Sequence, residues 1–160
     1  MNTCYLLTGG NLGNRQHNLA KARDWLEREC GKIVRSSALY ETAAWGKTDQ
    51  PSFLNQALEI HTGVGAEELM KRILDVEKKM GRVRQEKFGP RIIDIDILLF
   101  NKEIINTDFL KIPHPQMQNR RFVLMPLVEI APDFVHPILK KSVMQLLESC
   151  SDPLAVKKYT

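Results

Sequence analysis

The run GPRIIDIDILLF (89–100) limits the fold of this chain more than any other stretch. Its Ile, Leu and Phe residues require a buried strand, yet Asp94 and Asp96 interrupt them two positions apart. Side chains alternate along a strand, so both carboxylates project from one face. Their Cα atoms lie about 6.6 Å apart, at roughly 3.3 Å of rise per residue. Two ionised carboxylates at about 6 Å repel by roughly 3 kcal/mol at an effective dielectric near 20. The odd positions Ile93, Ile95, Ile97 and Leu99 mark the core face, while Ile92, Leu98 and Phe100 show that the Asp face is partly covered too. On a wet face the pair is harmless, but on a covered one positive charge must sit between the two. Arginine can supply it; Mg²⁺, which takes a few carboxylate oxygens and completes its shell with water and phosphate, is the better match.

The 160 residues are expected to form a single domain, 1–160, large enough for a core without staples. No apolar stretch reaches membrane-spanning length, and the start, MNTCYLLTGG, lacks the pattern of a secretory signal. Cys4, Cys30 and Cys150 are odd in number and widely spaced, which favours reduced thiols and a cytoplasmic location over a disulfide framework or a zinc site. The periodicity predicts a strand at 4–9, then a helix capped by Asn14 with Leu19, Ala22 and Leu26 inside. Residues 32–42 have strand composition, and residues 53–62 alternate cleanly, with Leu54, Leu58 and Ile60 opposite Phe53, Asn55, Glu59 and His61. A helix over 66–80 follows, stopped by Gly81, and then a strand over 91–100. Asn101-Lys102 can turn that strand into a hairpin with EII, residues 119–131 read as helical despite Pro126, and Ser142 can cap a last helix. The order β-α-β-β-α-β predicts an α+β fold: a ferredoxin-like core with a mostly antiparallel sheet flanked by helices in three α/β/α layers.

The net charge of +4 is mild but clustered. Lys78, Lys79, Arg82, Arg84, Lys87 and Arg91 crowd the segment that feeds the Asp strand, with Glu86 as the one acid, and Asn119-Arg120-Arg121 adds a second group. Guanidinium groups suit phosphoryl oxygens through charge-assisted, bidentate hydrogen bonds. Carboxylate-held metal with arginines is what phosphoryl transfer requires, since that chemistry rests on positioning and charge neutralisation. WGKT (45–48) is no P-loop, because Glu41 stands where the leading glycine belongs. Phe53 and Asn55 share a strand face, and with Phe122 they offer either core packing or a slot for a flat ring with an amide at its edge. His114, between Pro113 and Pro115, is structural or a donor to phosphate.

Together, GGNLGNR, DQPSFLNQAL, VEKKMGRVR, FGPRIIDIDILLF, IPHPQM and NRRFVLMPLVEIAP resemble the 6-hydroxymethyl-7,8-dihydropterin pyrophosphokinases of folate biosynthesis, in order from about residue 5 to 137. The resemblance implies transfer of a pyrophosphoryl group from ATP to the pterin hydroxymethyl oxygen, releasing AMP, with two Mg²⁺ ions held by Asp94 and Asp96. It gives Arg82 and Arg91 the role of stabilising the transferring group, and places Glu77, Arg84, Phe88, Ile97, His114 and Arg120 on the nucleotide and phosphate side. Asn55 reads the pterin edge, Phe53 and Phe122 sandwich the ring, and Thr42 borders it. Closure of residues 43–52 and 82–91 over the site would exclude water. The chain departs from the family pattern at Leu74, Phe88, Phe109, Lys111 and Pro115 and at Ala43-Ala44-Trp45. Small-molecule substrates, no nucleic acid, no membrane and a monomeric state are expected. The competing readings are a two-metal nucleotidyltransferase, releasing pyrophosphate, and a non-enzymatic nucleic-acid-binding module.

Overall fold

The computed structural model describes residues 1–43, 50–82 and 91–160. Strand β1 (Asn2–Gly10) is buried along most of its length because it lies inside the sheet, with β4 (Phe53–Thr62) on one side and β5 (Asp94–Phe100) on the other. Strands β2 (Lys32–Ser36) and β3 (Tyr40–Thr42) pair with successive parts of β4, and β8 (Val156–Lys158) adds to β3. Every one of these ladders is antiparallel. The expected strand over 32–42 is therefore two strands. Ser37 causes the break: its N–H donates to Ala57 O at 2.9 Å while its Oγ, in place of a backbone carbonyl, accepts from Ala57 N at 2.9 Å.

Helices α1 (Arg15–Glu29) and α2 (Ala66–Lys79) form as their caps and apolar spacing dictate. Asn14 Oδ1 accepts from His17 N at 3.1 Å, and Leu19, Ala22 and Leu26 are buried. Helix α2 ends at Met80, after which Gly81 takes a φ of +86°, the left-handed conformation that glycine adopts without a Cβ penalty. The two helices cover one sheet face in a core containing Leu6, Leu54, Leu58, Ile73 and Ile95. Helices α3 (Arg121–Ile130) and α4 (Val143–Glu148) contribute to a second core with Tyr5, Leu7 and Ala57. Ser142 and Gln145 cap α4 reciprocally, as a capping box. No helix among the described residues is long and apolar enough to cross a membrane.

Three expectations are corrected. Regular β5 begins at Asp94, because Arg91 is diverted to the β1–α1 turn, where its carbonyl accepts from Asn11 N and Leu12 N. The hairpin after Asn101 does not form: Asn101 N donates to Thr3 O at 2.8 Å and its Oδ1 accepts from Thr3 N at 2.9 Å, so the turn is tied to β1. The small ladder downstream joins β6 (Ile105–Asn106) to β7 (Lys111–Ile112) instead. Third, Leu99 and Phe100 exchange faces. Tyr5 pairs with Leu99 and Leu6 with Ile97, so a bulge inserts one extra residue; Leu99 enters the second core and Phe100 the first.

Strand β8 and the end of the chain are fixed by Asp152, which is buried. Its Oδ2 accepts from Arg121 N at 3.0 Å, at the open start of α3, and its Oδ1 accepts from Leu154 N at 3.0 Å. Asp152→Ala leaves both N–H groups without these acceptors and is expected to lower unfolding free energy by about 2 kcal/mol in urea titrations.

Candidate functional site

A cavity of about 280 Å³ opens at the end of the sheet where β1 finishes and β5 starts. The strand registers explain its construction. Gly9 stands between Asp94 on β5 and Asn55 on β4, and Leu7 stands between Asp96 and Ala57. Thr42 pairs with Phe53 one step further out. Asp94 and Asp96 thus share a face with Asn55 and Phe53, and all four line the cavity. The lining is completed on the anionic side by Arg82, Arg91, His114 and Arg120, and on the apolar side by Leu7, Ala43 and Phe122.

Charge is organised around Asp94. Arg82 Nη2 donates to its Oδ1 at 3.2 Å and Arg91 Nη1 to its Oδ2 at 3.0 Å, so both oxygens are held. The Arg82 side chain is only 6% exposed, and its Nε is buried without a hydrogen-bond partner. Asp96 carries the opposite problem. Burial, then the Asp94 charge, then that of Glu77 push its carboxyl up to about 8, while Arg120 and Arg91 work in the other direction. A group that resists ionisation in this way is stabilised as an anion by a further cation. The oxygen donors are the hard type that Mg²⁺ takes. Among the described residues no group of three His, Cys, Asp or Glu forms a metal cage. An ion held here therefore completes its shell with water and ligand oxygens, and the residues present fit that role.

His114 is anchored by the β5 bulge: its N–H donates to the carbonyl of Leu98, the extra residue, at 2.9 Å. Its Nδ1 accepts from Gln116 N at 3.2 Å, which leaves the proton of the neutral ring on Nε2. Burial and then the charge of Arg120 lower its pKa to about 4, so the ring is neutral at pH 7 and can donate one hydrogen bond. Arg120, which ends a single 3₁₀ turn (Met117–Asn119), has its guanidinium carbon 5.8 Å from the Phe122 ring centroid.

The heterocycle side is shaped by an absence. A Cβ on Gly9 would overlap the Asn55 amide, so only glycine leaves room for that side chain to lie across β1. Asn55 Nδ2 donates to Thr8 O at 3.3 Å, while Asn55 Oδ1 and Thr42 Oγ1 are buried without partners. Two orphaned polar atoms on one wall, beside Phe53 and Phe122, form a surface that a flat polar ring can satisfy.

Ten of the sequence-predicted site residues thus meet at one cavity: Thr42, Phe53, Asn55, Arg82, Arg91, Asp94, Asp96, His114, Arg120 and Phe122. Arg84 and Phe88 lie outside the described residues, as does most of the two segments expected to close. Glu77 is not on the cavity wall; it is buried beneath, and its Oε2 accepts from Ile95 N at 2.7 Å on the free edge of β5. Ile97 is a correction: its side chain belongs to the first core, on the face opposite Asp96. Leu7 and Gly9 line the cavity without a sequence signal of their own, and Ala43, a departure from the family pattern, lines it too. Only the place of Gly9 at the end of the expected first strand, 4–9, hinted at its role.

The antiparallel α+β sheet thus carries paired carboxylates and arginines at one end, beside a slot that a flat ring can fill. The family model of 7,8-dihydro-6-hydroxymethylpterin-pyrophosphokinase matches residues 5–132, and the chain belongs to this family. A 2-amino-4-hydroxy-6-hydroxymethyldihydropteridine pyrophosphokinase of Aquifex aeolicus is 44% identical over 145 residues, covering 91% of this chain and 90% of that protein. One from Bacillus subtilis is 42% identical over 130 residues, 81% and 78% of the two chains. A folic acid synthesis protein of Dictyostelium discoideum is 44% identical over 86% of this chain, which spans only 21% of that longer protein. The fold is also that of the Plasmodium falciparum HPPK-DHPS crystal structure, with a TM-score of 0.72, 19% identity, and 92% of this chain against 43% of that one.

Two outcomes test the site's geometry. Gly9→Ala evicts the Asn55 side chain but little else, so pterin affinity, measured by fluorescence titration, is expected to fall at least about tenfold while the protein remains folded. His114 has a folded-state pKa, about 4, below its ordinary 6.5, so its neutral form contributes stability above pH 6.5 that is lost as pH falls towards 4. Thermal melts of His114→Asn across pH 4–7.5 are expected to show a flatter acid limb than the wild type.

Proposed function

We propose that the chain transfers the β,γ-pyrophosphoryl group of ATP to the hydroxymethyl oxygen of 6-hydroxymethyl-7,8-dihydropterin, giving the pterin diphosphate and AMP. The observation that carries this reading is the joining, in one cavity, of the Asp94–Asp96 pair and three arginines with the Asn55, Phe53 and Phe122 wall. The ring lies between Phe53 and Phe122, with Asn55 Oδ1 and Thr42 Oγ1 taking its edge donors. That placement directs the hydroxymethyl group towards the carboxylate end of the cavity.

Asp94 and Asp96 would hold two Mg²⁺ ions, which when bound neutralise phosphate charge and orient the triphosphate. Arg82 and Arg91 bind the transferring group's oxygens, and Arg120 and His114 Nε2–H bind the remaining phosphate oxygens. The acceptor oxygen attacks the β-phosphorus, the bond from that phosphorus to the α-phosphate oxygen breaks, AMP leaves, and the hydroxyl proton is lost to water. No side chain is assigned the part of general base; alignment and charge compensation carry the reaction. Glu77 positions β5 from beneath, and Arg84 and Phe88 act on the nucleotide side.

The fold is read as a ferredoxin-like βαββαβ core in three α/β/α layers, with β2 and β3 as one interrupted strand. The sheet order β5-β1-β4-β3 and the two cores on opposite faces support it. The reading includes one domain over 1–160, supported by both cores sharing that sheet, and a monomer. The cytoplasm supplies ATP and keeps Cys4, Cys30 and Cys150 reduced.

Incubation with ATP, Mg²⁺ and the hydroxymethyldihydropterin is expected to yield AMP; release of pyrophosphate instead would replace this reading with nucleotidyl transfer. Asp96→Asn is expected to reduce turnover by at least about 10³-fold, by analogy with the loss of a transition-state charge contact. Unchanged turnover in that variant would remove Asp96 from the mechanism.

A further inference from the structure

The β1–α1 turn, residues 11–14, together with Arg15 at the start of α1, lies outside the cavity lining, yet it holds the ends of three segments that form it. Arg15 Nη1 donates to Glu41 Oε2 at 2.6 Å and to Ser52 O at 3.0 Å. Glu41 precedes Thr42, the last residue of β3, and Ser52 precedes Phe53, the first of β4. One guanidinium nitrogen therefore clamps the residues that flank the outermost pair of the β3–β4 ladder, Thr42 with Phe53. The same guanidinium lies 5.4 Å from the Tyr159 ring centroid, so its plane is backed by the end of the chain. Asn11, 1% exposed, supports the same region from beneath: its Nδ2 donates to Gln50 Oε1 and Pro51 O, both at 2.9 Å, and its Oδ1 accepts from Arg91 N at 2.8 Å.

We infer that Arg15 is a positioning residue for the heterocycle wall, setting Thr42 against Phe53, and that Asn11 links this wall to Arg91. The inference rests on the function proposed above. Its chemistry is specific: a charge-assisted bond of 2.6 Å to a half-buried carboxylate is short and directional, and the second bond of the same nitrogen removes the freedom to swing. Arg15 has no bond to the Asp94–Asp96 end, so its effect should fall on the ring and spare the nucleotide. Asn11, bonded to Arg91, should affect both.

Binding titrations of a fluorescent 6-hydroxymethylpterin and of a non-hydrolysable ATP analogue with Mg²⁺ separate these effects. Arg15→Ala is expected to weaken pterin binding about tenfold, the size of one lost charge-assisted hydrogen bond, with nucleotide affinity changed less than about twofold. Arg15→Lys, which retains the charge to Glu41, should recover part of the loss. Glu41→Gln, which removes the same ion pair from the other side, should weaken pterin binding alone if Arg15→Ala proves poorly folded. Equal loss of both ligands, or a lower melting temperature with both affinities intact, would overturn the inference and leave Arg15 a structural residue. Failure of the wild type to bind pterin or to form AMP would overturn the functional reading and this inference with it. A wild type that is active, with insensitive variants, overturns the inference alone.

Discussion

Three carboxylates crowd the start of one strand, and the surroundings of the cavity are arranged to tolerate them. Asp94 and Asp96 share a face of β5, and Glu77 lies beneath with its charge raising the cost of ionising Asp96. Glu77 is nevertheless retained in the interior because β5 is an edge strand: its Oε2 takes the N–H of Ile95 that no neighbouring strand reaches. The carbonyl of Glu77 in turn accepts from Arg82 N at 3.0 Å, and the Arg82 side chain returns to Asp94. The end of α2, the start of β5 and the first arginine thus form one closed circuit of hydrogen bonds. Removing any member would leave a buried charge or donor without its partner.

The other wall depends on close approach. Three strands are aligned so that Asp94, Gly9 and Asn55 fall in one row. A side chain on the middle residue would separate the anionic end from the heterocycle slot. Its absence lets Asn55 lie across β1 and places amide and carboxylates in a single cavity. The β5 bulge has a similar effect further along. By inserting Leu98 it frees a carbonyl for His114 N, and the loop that carries His114 is drawn to the cavity while Leu99 and Phe100 still reach opposite cores.

The features legible in the sequence were those with a local cause. Alternation along a strand put Asp94 and Asp96 on one face without any knowledge of the partners, and helical spacing with Asn14, Gly81 and Ser142 delimited three helices. The features that were not legible come from pairing. Nothing in LLF announces that Tyr5 will choose Leu99, and so the faces of Leu99 and Phe100 were read in the wrong order. The split at Ser37 needs Ala57 across the ladder, the short polar β8 needs β3, and Asn101 breaks the expected hairpin only because Thr3 is beside it. Ile97 followed the family resemblance to the nucleotide side, while its parity had already assigned it to the core. Asn11, Arg15 and Asp152 are surface-type residues whose roles arise from distant backbone, so composition could not single them out.

The state of Asp94 carries the consequence for catalysis. Both its oxygens are bonded to guanidinium groups here, whereas the reaction proposed for the chain asks the same oxygens to hold metal and the same guanidiniums to hold phosphate. The two sets of bonds exchange partners of like charge: cation for cation at the carboxylate, anion for anion at the arginine. Such an exchange keeps a cation beside the carboxylate and an anion beside each guanidinium, so no buried charge is left uncompensated as nucleotide enters. Among the described residues Asp96 has no comparable arginine clasp, and its raised pKa makes it the group with the most to gain from an arriving cation. The paired aspartates are thus unequal by construction: arginines hold both oxygens of Asp94, whereas burial and the neighbouring carboxylates oppose the ionisation of Asp96, which a cation would favour.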